Sequence, residues 1–197
     1  MEELKEAYEH TDINKVIIDK EASTVYLSDP EMSLDVGAVA KGYAVEMVCR
    51  EAEEKGFKSL LVSVGGNVRA IGSKNEKGDP WAVGIQNPEG RDAGDIMTVS
   101  ITGGSVVTSG NYERYYVVDG KIYHHIIDPE TLLPAEYFTA VTVICGDSGM
   151  ADALSTSIFN MPYEQGCKLI ESIPGAEAMW VFNNGEIRYS DGFEGYI

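Results

Sequence analysis

The chain has 197 residues, with 15 Lys and Arg against 32 Asp and Glu and a formal charge of -17. An apolar share of 44% and a charged share of 24% suit a globular chain able to bury ~70% of its unfolded surface, and exclude disorder and collagen. So negative a surface repels nucleic-acid phosphates and anionic headgroups, which argues against any partner held by a broad basic face. A phosphorylated ligand would need a bridging cation or backbone N–H donors.

Taken in chain order, residues 1–10 form a charged, helix-prone run with no apolar signal core, and no stretch reaches 18 apolar residues. Residues 16–18 and 24–27 read as a hairpin. After a loop at 35–38, residues 40–52 place Val45, Val48 and Ala52 at helical spacing, with Lys55-Gly56 as the stop. Residues 60–64 run into Gly65-Gly66-Asn67, and 68–71 continue beyond that turn. Residues 81–85, 97–101, 115–118 and 122–127 alternate or run apolar between Gly, Asp and Pro, as in a β meander. Asp119-Gly120 is the strongest hairpin signal among them. A strand at 140–145, helices at 150–159 and 163–173, and a hairpin of 178–182 with 186–189 on Asn-Gly complete the chain. Helices and antiparallel strands without a βαβ rhythm give an α+β class, and no linker divides residues 1–197, so a single domain is expected. Cys49, Cys145 and Cys167 are odd in number and widely spaced, which reads as three buried thiols.

Several clusters carry chemistry. Asp152, Ser155 and Thr156 stand at i, i+3 and i+4 of one helix, hence on one face. A carboxylate with hydroxyls suits Mg²⁺, which takes oxygen ligands and keeps water or phosphate oxygens in its shell. The plainer reading makes Asp152 an acid of the first helical turn and lets the hydroxyls bond back to the helix. His124 and His125, adjacent on a strand, face opposite ways and cannot serve one site together. Gly37-Ala-Val-Ala-Lys-Gly precedes a helix and offers backbone groups and Lys41 to a phosphate, or is only a helix-start loop of small residues. Gly65-Gly66-Asn67 and the segment 108–111 are open to a turn reading too. No Walker or dinucleotide glycine pattern and no G-x-S-x-G occurs.

In order, the blocks LDVGAVAKGYA from Leu34, LVSVGGN from Leu61, WAVGIQNP from Trp81, TSGNYERYY from Thr108, HIIDP from His125 and ADALST from Ala151 resemble the ApbE family of flavin transferases. The resemblance implies an α+β domain of T-fold type. The activity it implies is FAD:protein FMN transfer: with Mg²⁺, a Thr or Ser hydroxyl of an acceptor flavoprotein attacks the FAD pyrophosphate, FMN stays joined to the protein and AMP leaves. It maps the metal site onto Asp152 and Thr156, the backbone carbonyl of Ala38 and, more weakly, Ser155. Flavin-nucleotide contacts fall on Asp35, Lys41 and the segment at Ile127, and the catalytic histidine on His125. Hydrolysis of FAD to FMN and AMP and a non-catalytic FAD-binding module are the competing readings. The resemblance also implies an extracytoplasmic protein, with any membrane anchor outside this chain. Two departures accompany it. About 33 residues precede the Leu34 block, so the family segment that covers the isoalloxazine ring is expected to be missing, and Asn111 stands where the family commonly has Asp.

Overall fold

The computed structural model describes every residue but Glu113, which falls within the TSGNYERYY block and so lies outside the described residues, and for Arg91 the backbone alone. In chain order the elements are α1 (Glu2–Tyr8), β1 (Val16–Asp19), β2 (Thr24–Leu27), α2 (Gly37–Glu54), β3 (Leu60–Val64), β4 (Asn67–Ile71), β5 (Trp81–Gln86), β6 (Asp95–Ile101), β7 (Gly104–Gly110), β8 (Tyr115–Val118), β9 (Lys121–His124), β10 (Ile127–Asp128), β11 (Leu133–Pro134), β12 (Phe138–Cys145), α3 (Ser148–Phe159), α4 (Tyr163–Glu171), β13 (Glu177–Phe182) and β14 (Ile187–Tyr189). The class is α+β, and every strand pairing described is antiparallel.

Six strands form the central sheet in the order β14-β13-β12-β7-β4-β3. The period of two on β12 sorts the core into layers. Val141, Val143 and Cys145 point to one face, where they meet Leu154, Ile158 and Phe159 of α3, Ile170 of α4 and Trp180. Ala140 and Ile144 point to the other, where the β5–β6 hairpin brings Val83, Ile85, Val99 and Ile101. The molecule is thus stacked as helices, sheet and hairpin. No helix among the described residues is long and apolar enough to cross a membrane.

Two tight turns carry glycine at left-handed positions. Gly65 and Gly66 have φ of +54° and +90°, and Asp119 and Gly120 have +51° and +77°, the left-handed pairs that two-residue hairpins require. Five expectations change. Helix α2 begins at Gly37, so residues 37–42 are its opening turns and not a loop ahead of it. Residues 81–127 are not one meander: β5–β6 and β8–β9 are separate two-stranded units, and between them β7 crosses into the central sheet. The segment 108–111 is therefore not a plain turn, since Thr108 to Gly110 are strand residues paired with β12. In α2, Val48 is exposed and the buried seam is Gly42, Val45, Glu46 and Cys49. Of the three thiols, Cys49 and Cys145 are buried and Cys167 only partly so.

The histidine pair also separates. Strand β9 ends at His124, which is buried, while His125 is exposed. His124 donates through Nε2 to the Ala135 carbonyl at 2.8 Å, its Nδ1 faces the Ile126 N–H at 3.3 Å, and its ring meets Phe159 edge-on at 5.8 Å. Burial pushes its pKa below the usual histidine value. A folded state that resists protonation loses stability as pH falls below ~6.5, where the unfolded chain takes up the proton, and keeps its full stability above that. In urea titrations at stepped pH, His124→Gln should flatten the wild-type slope between pH ~6.5 and 5 by up to ~1.4 kcal/mol per pH unit.

Candidate active site at the crossing of two helices

Helices α2 and α3 cross with backbone nearly against backbone, and the reason is Gly42. A Cβ at that position would lie 2.2 Å from the Ser148 carbonyl oxygen and 2.5 Å from the Asp152 Cβ, so only hydrogen fits. The close approach lets the Gly42 N–H donate to Asp152 Oδ2 at 2.8 Å. In a regular helix the carbonyl four residues before Gly42 is that of Ala38. Lys41 reaches the same carboxylate, with Nζ 3.2 Å from Oδ1. Asp152 is buried at 3% exposure, whereas the Lys41 side chain keeps 40%. The ammonium can therefore leave for solvent or for a ligand, while the carboxylate cannot move.

One turn further along each helix the exchange is repeated in reverse. Glu46, four residues after Gly42, accepts the Ser148 N–H on Oε2 at 2.9 Å, and Ser148 lies four residues before Asp152. Glu46 also takes Arg69 Nε at 2.9 Å and Arg50 Nε at 3.0 Å. Burial alone would raise the Glu46 carboxyl, but the Ser148 N–H and the two guanidinium groups outweigh it and hold the pKa below the usual range.

Asp147 caps α3 through Oδ1, 2.8 Å from the Met150 N–H, so the helix starts earlier than residue 150 and Asp152 sits in its second turn rather than its first. That removes the plain reading of Asp152 as a dipole-favoured terminal acid. Ser155, fully buried, donates to the Asp152 carbonyl at 3.0 Å and lies 2.8 Å from Ser109 Oγ on β7. Its hydroxyl is engaged inside the protein. Thr156 keeps partial exposure, with Oγ1 3.3 Å from Ser109 Oγ. The Gly65-Gly66 turn packs on the Lys41 stem, since a Cβ on Gly65 would meet Lys41 Cδ at 3.6 Å. Asn67, which ends that turn, is buried, and its Nδ2 lacks a partner among the described residues.

Among the described residues, no hydrogen bond or ion pair joins Asp35, His125 or Ile127 to this cluster. Asp35 accepts the Gly37 N–H at 2.6 Å, an Asx turn just ahead of α2, whose N-cap is Val36. Ile127 is exposed on β10, opposite Pro134. His125 Nδ1 lies 3.2 Å from the Arg114 carbonyl. A carbonyl only accepts, so Nδ1 carries the proton and Nε2 is the unprotonated nitrogen of the neutral ring. Among the described residues no group of three or more His, Cys, Asp and Glu could hold a metal. The donors present are one carboxylate, a hydroxyl and a backbone carbonyl, an all-oxygen set that fits a hard cation completing its shell with water or phosphate. Sequence reasoning missed Ser109, Gly42 and Glu46 as parts of this site. Gly42 lay in the quoted GAVAKG run, but only the crossing shows why it is glycine.

A model of the ApbE family matches residues 1–180. A protein of Treponema pallidum named FAD:protein FMN transferase is 38% identical over 96% of this chain and 56% of its own length. One of the same name from Escherichia coli K12 is 37% identical over 72% of this chain and 40% of its own. Among solved structures, the ApbE protein of Thermotoga maritima superposes with a TM-score of 0.88 at 37% identity, over 99% of this chain and 63% of that one. The flavin transferase ApbE of Vibrio cholerae gives 0.81 at 27% identity, over 100% and 62%. The chain thus spans about half the length of the curated relatives it matches.

The crossing makes a sharp demand on Gly42. Gly42→Ala should lower stability by about 1–3 kcal/mol through overpacking. It should also separate the 42 amide from Asp152, read as loss of hydrogen-exchange protection at that amide.

Proposed function

The chain belongs to the ApbE family, and we propose that it works as an FAD:protein FMN transferase, moving FMN from FAD to a Thr or Ser hydroxyl of an acceptor flavoprotein with release of AMP. The observation that carries this reading is the meeting of the first turns of α2 with Asp152 of α3, one turn before Thr156 on the same helix. Asp152, Thr156 and the Ala38 carbonyl would hold Mg²⁺, which when bound supplies positive charge to the pyrophosphate. In a chain of net charge -17 that charge matters, because dianionic substrates are otherwise repelled.

The remaining work falls to the chain's own groups. Lys41 swings from Asp152 to a phosphate oxygen, exchanging one ion pair for another. His125, with its Nδ1 proton held by the Arg114 carbonyl, presents Nε2 as general base. The acceptor oxygen forms a bond to the FMN-side phosphorus, its proton passes to Nε2, and the bond from that phosphorus to the AMP oxygen breaks. Positioning and charge stabilisation account for most of the rate in such transfers.

With FAD, Mg²⁺ and a Thr-bearing acceptor peptide, the chain should release AMP and label the peptide with flavin. Asp152→Ala should slow both by ~10²-fold or more. Undiminished labelling in that variant would refute the assignment. AMP formed equally fast without peptide would make the protein an FAD pyrophosphatase instead, and saturable FAD binding without AMP a binding module.

A further inference from the structure

Glu46 is a buried carboxylate that touches none of the groups assigned above to metal, flavin or proton transfer. It is 5% exposed, and its partners are Ser148 N–H, Arg69 and Arg50. A purely electrostatic account would make it the counter-charge of Arg69, itself 7% exposed on β4. That account leaves the Ser148 bond unexplained. Arg69 already has the Ala70 carbonyl and Glu53 at 3.8 Å, and Arg50 pairs with Asp147 at 2.6 Å.

The spacing supplies the explanation. On α2, Gly42 and Glu46 are one turn apart, and on α3, Ser148 and Asp152 are one turn apart. Each helix offers one backbone N–H and one carboxylate, and each carboxylate takes the N–H of the other helix, at 2.8 and 2.9 Å. Two bonds of this kind, one turn apart, set both the separation and the sliding position of the helices. Releasing one leaves the other free to slip. Gly42 offers no side chain to stop such a slip, because it carries only hydrogen at the contact.

We propose that Glu46 is a positioning residue: by holding the Ser148 amide it sets α3 against α2 and so fixes the Asp152 carboxylate at Gly42. Its effect on ligand binding rests on the transferase reading, whereas its effect on Gly42 does not.

Three variants of the full chain separate this from charge neutralisation. Glu46→Met with Arg69→Met replaces the ion pair by apolar groups, an exchange that is often neutral for stability, and removes the acceptor. Glu46→Gln with Arg69→Met removes the same charges and keeps an acceptor oxygen. Ser148→Pro keeps Glu46 and Arg69 and removes the donor. It stands at the first position of α3, where proline is tolerated, after Asp147, whose φ of -118° and ψ of 126° suit the residue before proline. The readouts are exchange of the Gly42 amide and FAD affinity with and without Mg²⁺.

The Met pair and Ser148→Pro should each speed Gly42 exchange at least tenfold and cut the Mg²⁺-dependent gain in FAD affinity at least tenfold. The Gln pair should stay within threefold of wild type in both. Equal behaviour of the Met and Gln pairs overturns the proposal, as does wild-type exchange at Gly42 in Ser148→Pro. The latter decides the matter alone should a double variant fail to fold. A wild-type chain without Mg²⁺-dependent FAD binding would defeat the transferase reading and leave the Gly42 measurement to judge Glu46.

Discussion

The backbone contact between α2 and α3 is the constraint on which this molecule turns. Side chains normally keep packed helices 8–10 Å apart. Here Gly42 removes that spacer, and two carboxylates one turn apart take the amides thus brought within reach. A buried carboxylate without donors is costly to keep charged. Both acids are supplied, Asp152 by Gly42 and Lys41, Glu46 by Ser148 and two arginines. The seam is therefore rigid where it holds Asp152 and adjustable at Lys41, whose side chain is partly exposed.

The surrounding sheet serves that seam. Strand β7 passes beneath α3 with Ser105, Val107 and Ser109 on the helix-facing side, and the small serine at 109 lets both hydroxyls of α3 approach it. One of those hydroxyls, Ser155, is absorbed into packing, and the other, Thr156, stays accessible. Two serine and threonine side chains that are neighbours in sequence thus acquire different roles through a third residue 46 positions away.

The two histidines part in the same way. They are chemically identical and adjacent, yet the chain direction at the end of β9 buries one and exposes the other. His124 has both nitrogens occupied and its pKa depressed by burial, which makes it a structural group. His125 has one nitrogen committed to a carbonyl, which sets the tautomer and leaves Nε2 as the basic atom.

Local patterns were enough for much of this. Alternation marked most strands, the Gly65-Gly66 and Asp119-Gly120 turns marked two hairpins, the i and i+4 spacing put Asp152 and Thr156 on one helix face, and the six ordered blocks pointed to the family. Those features depend on neighbours within a few residues, which a linear reading contains. Strand β7 escaped it because Gly104-Ser-Val-Val-Thr-Ser-Gly holds only two strongly apolar residues, and its strand state is imposed by β4 and β12 on either side. The partners of Asp152 and Glu46 escaped it for a related reason. A bond between residues 42 and 152 or 46 and 148 exists only after the sheet has brought two helices together, and the cause of the glycine is the atom it would otherwise strike.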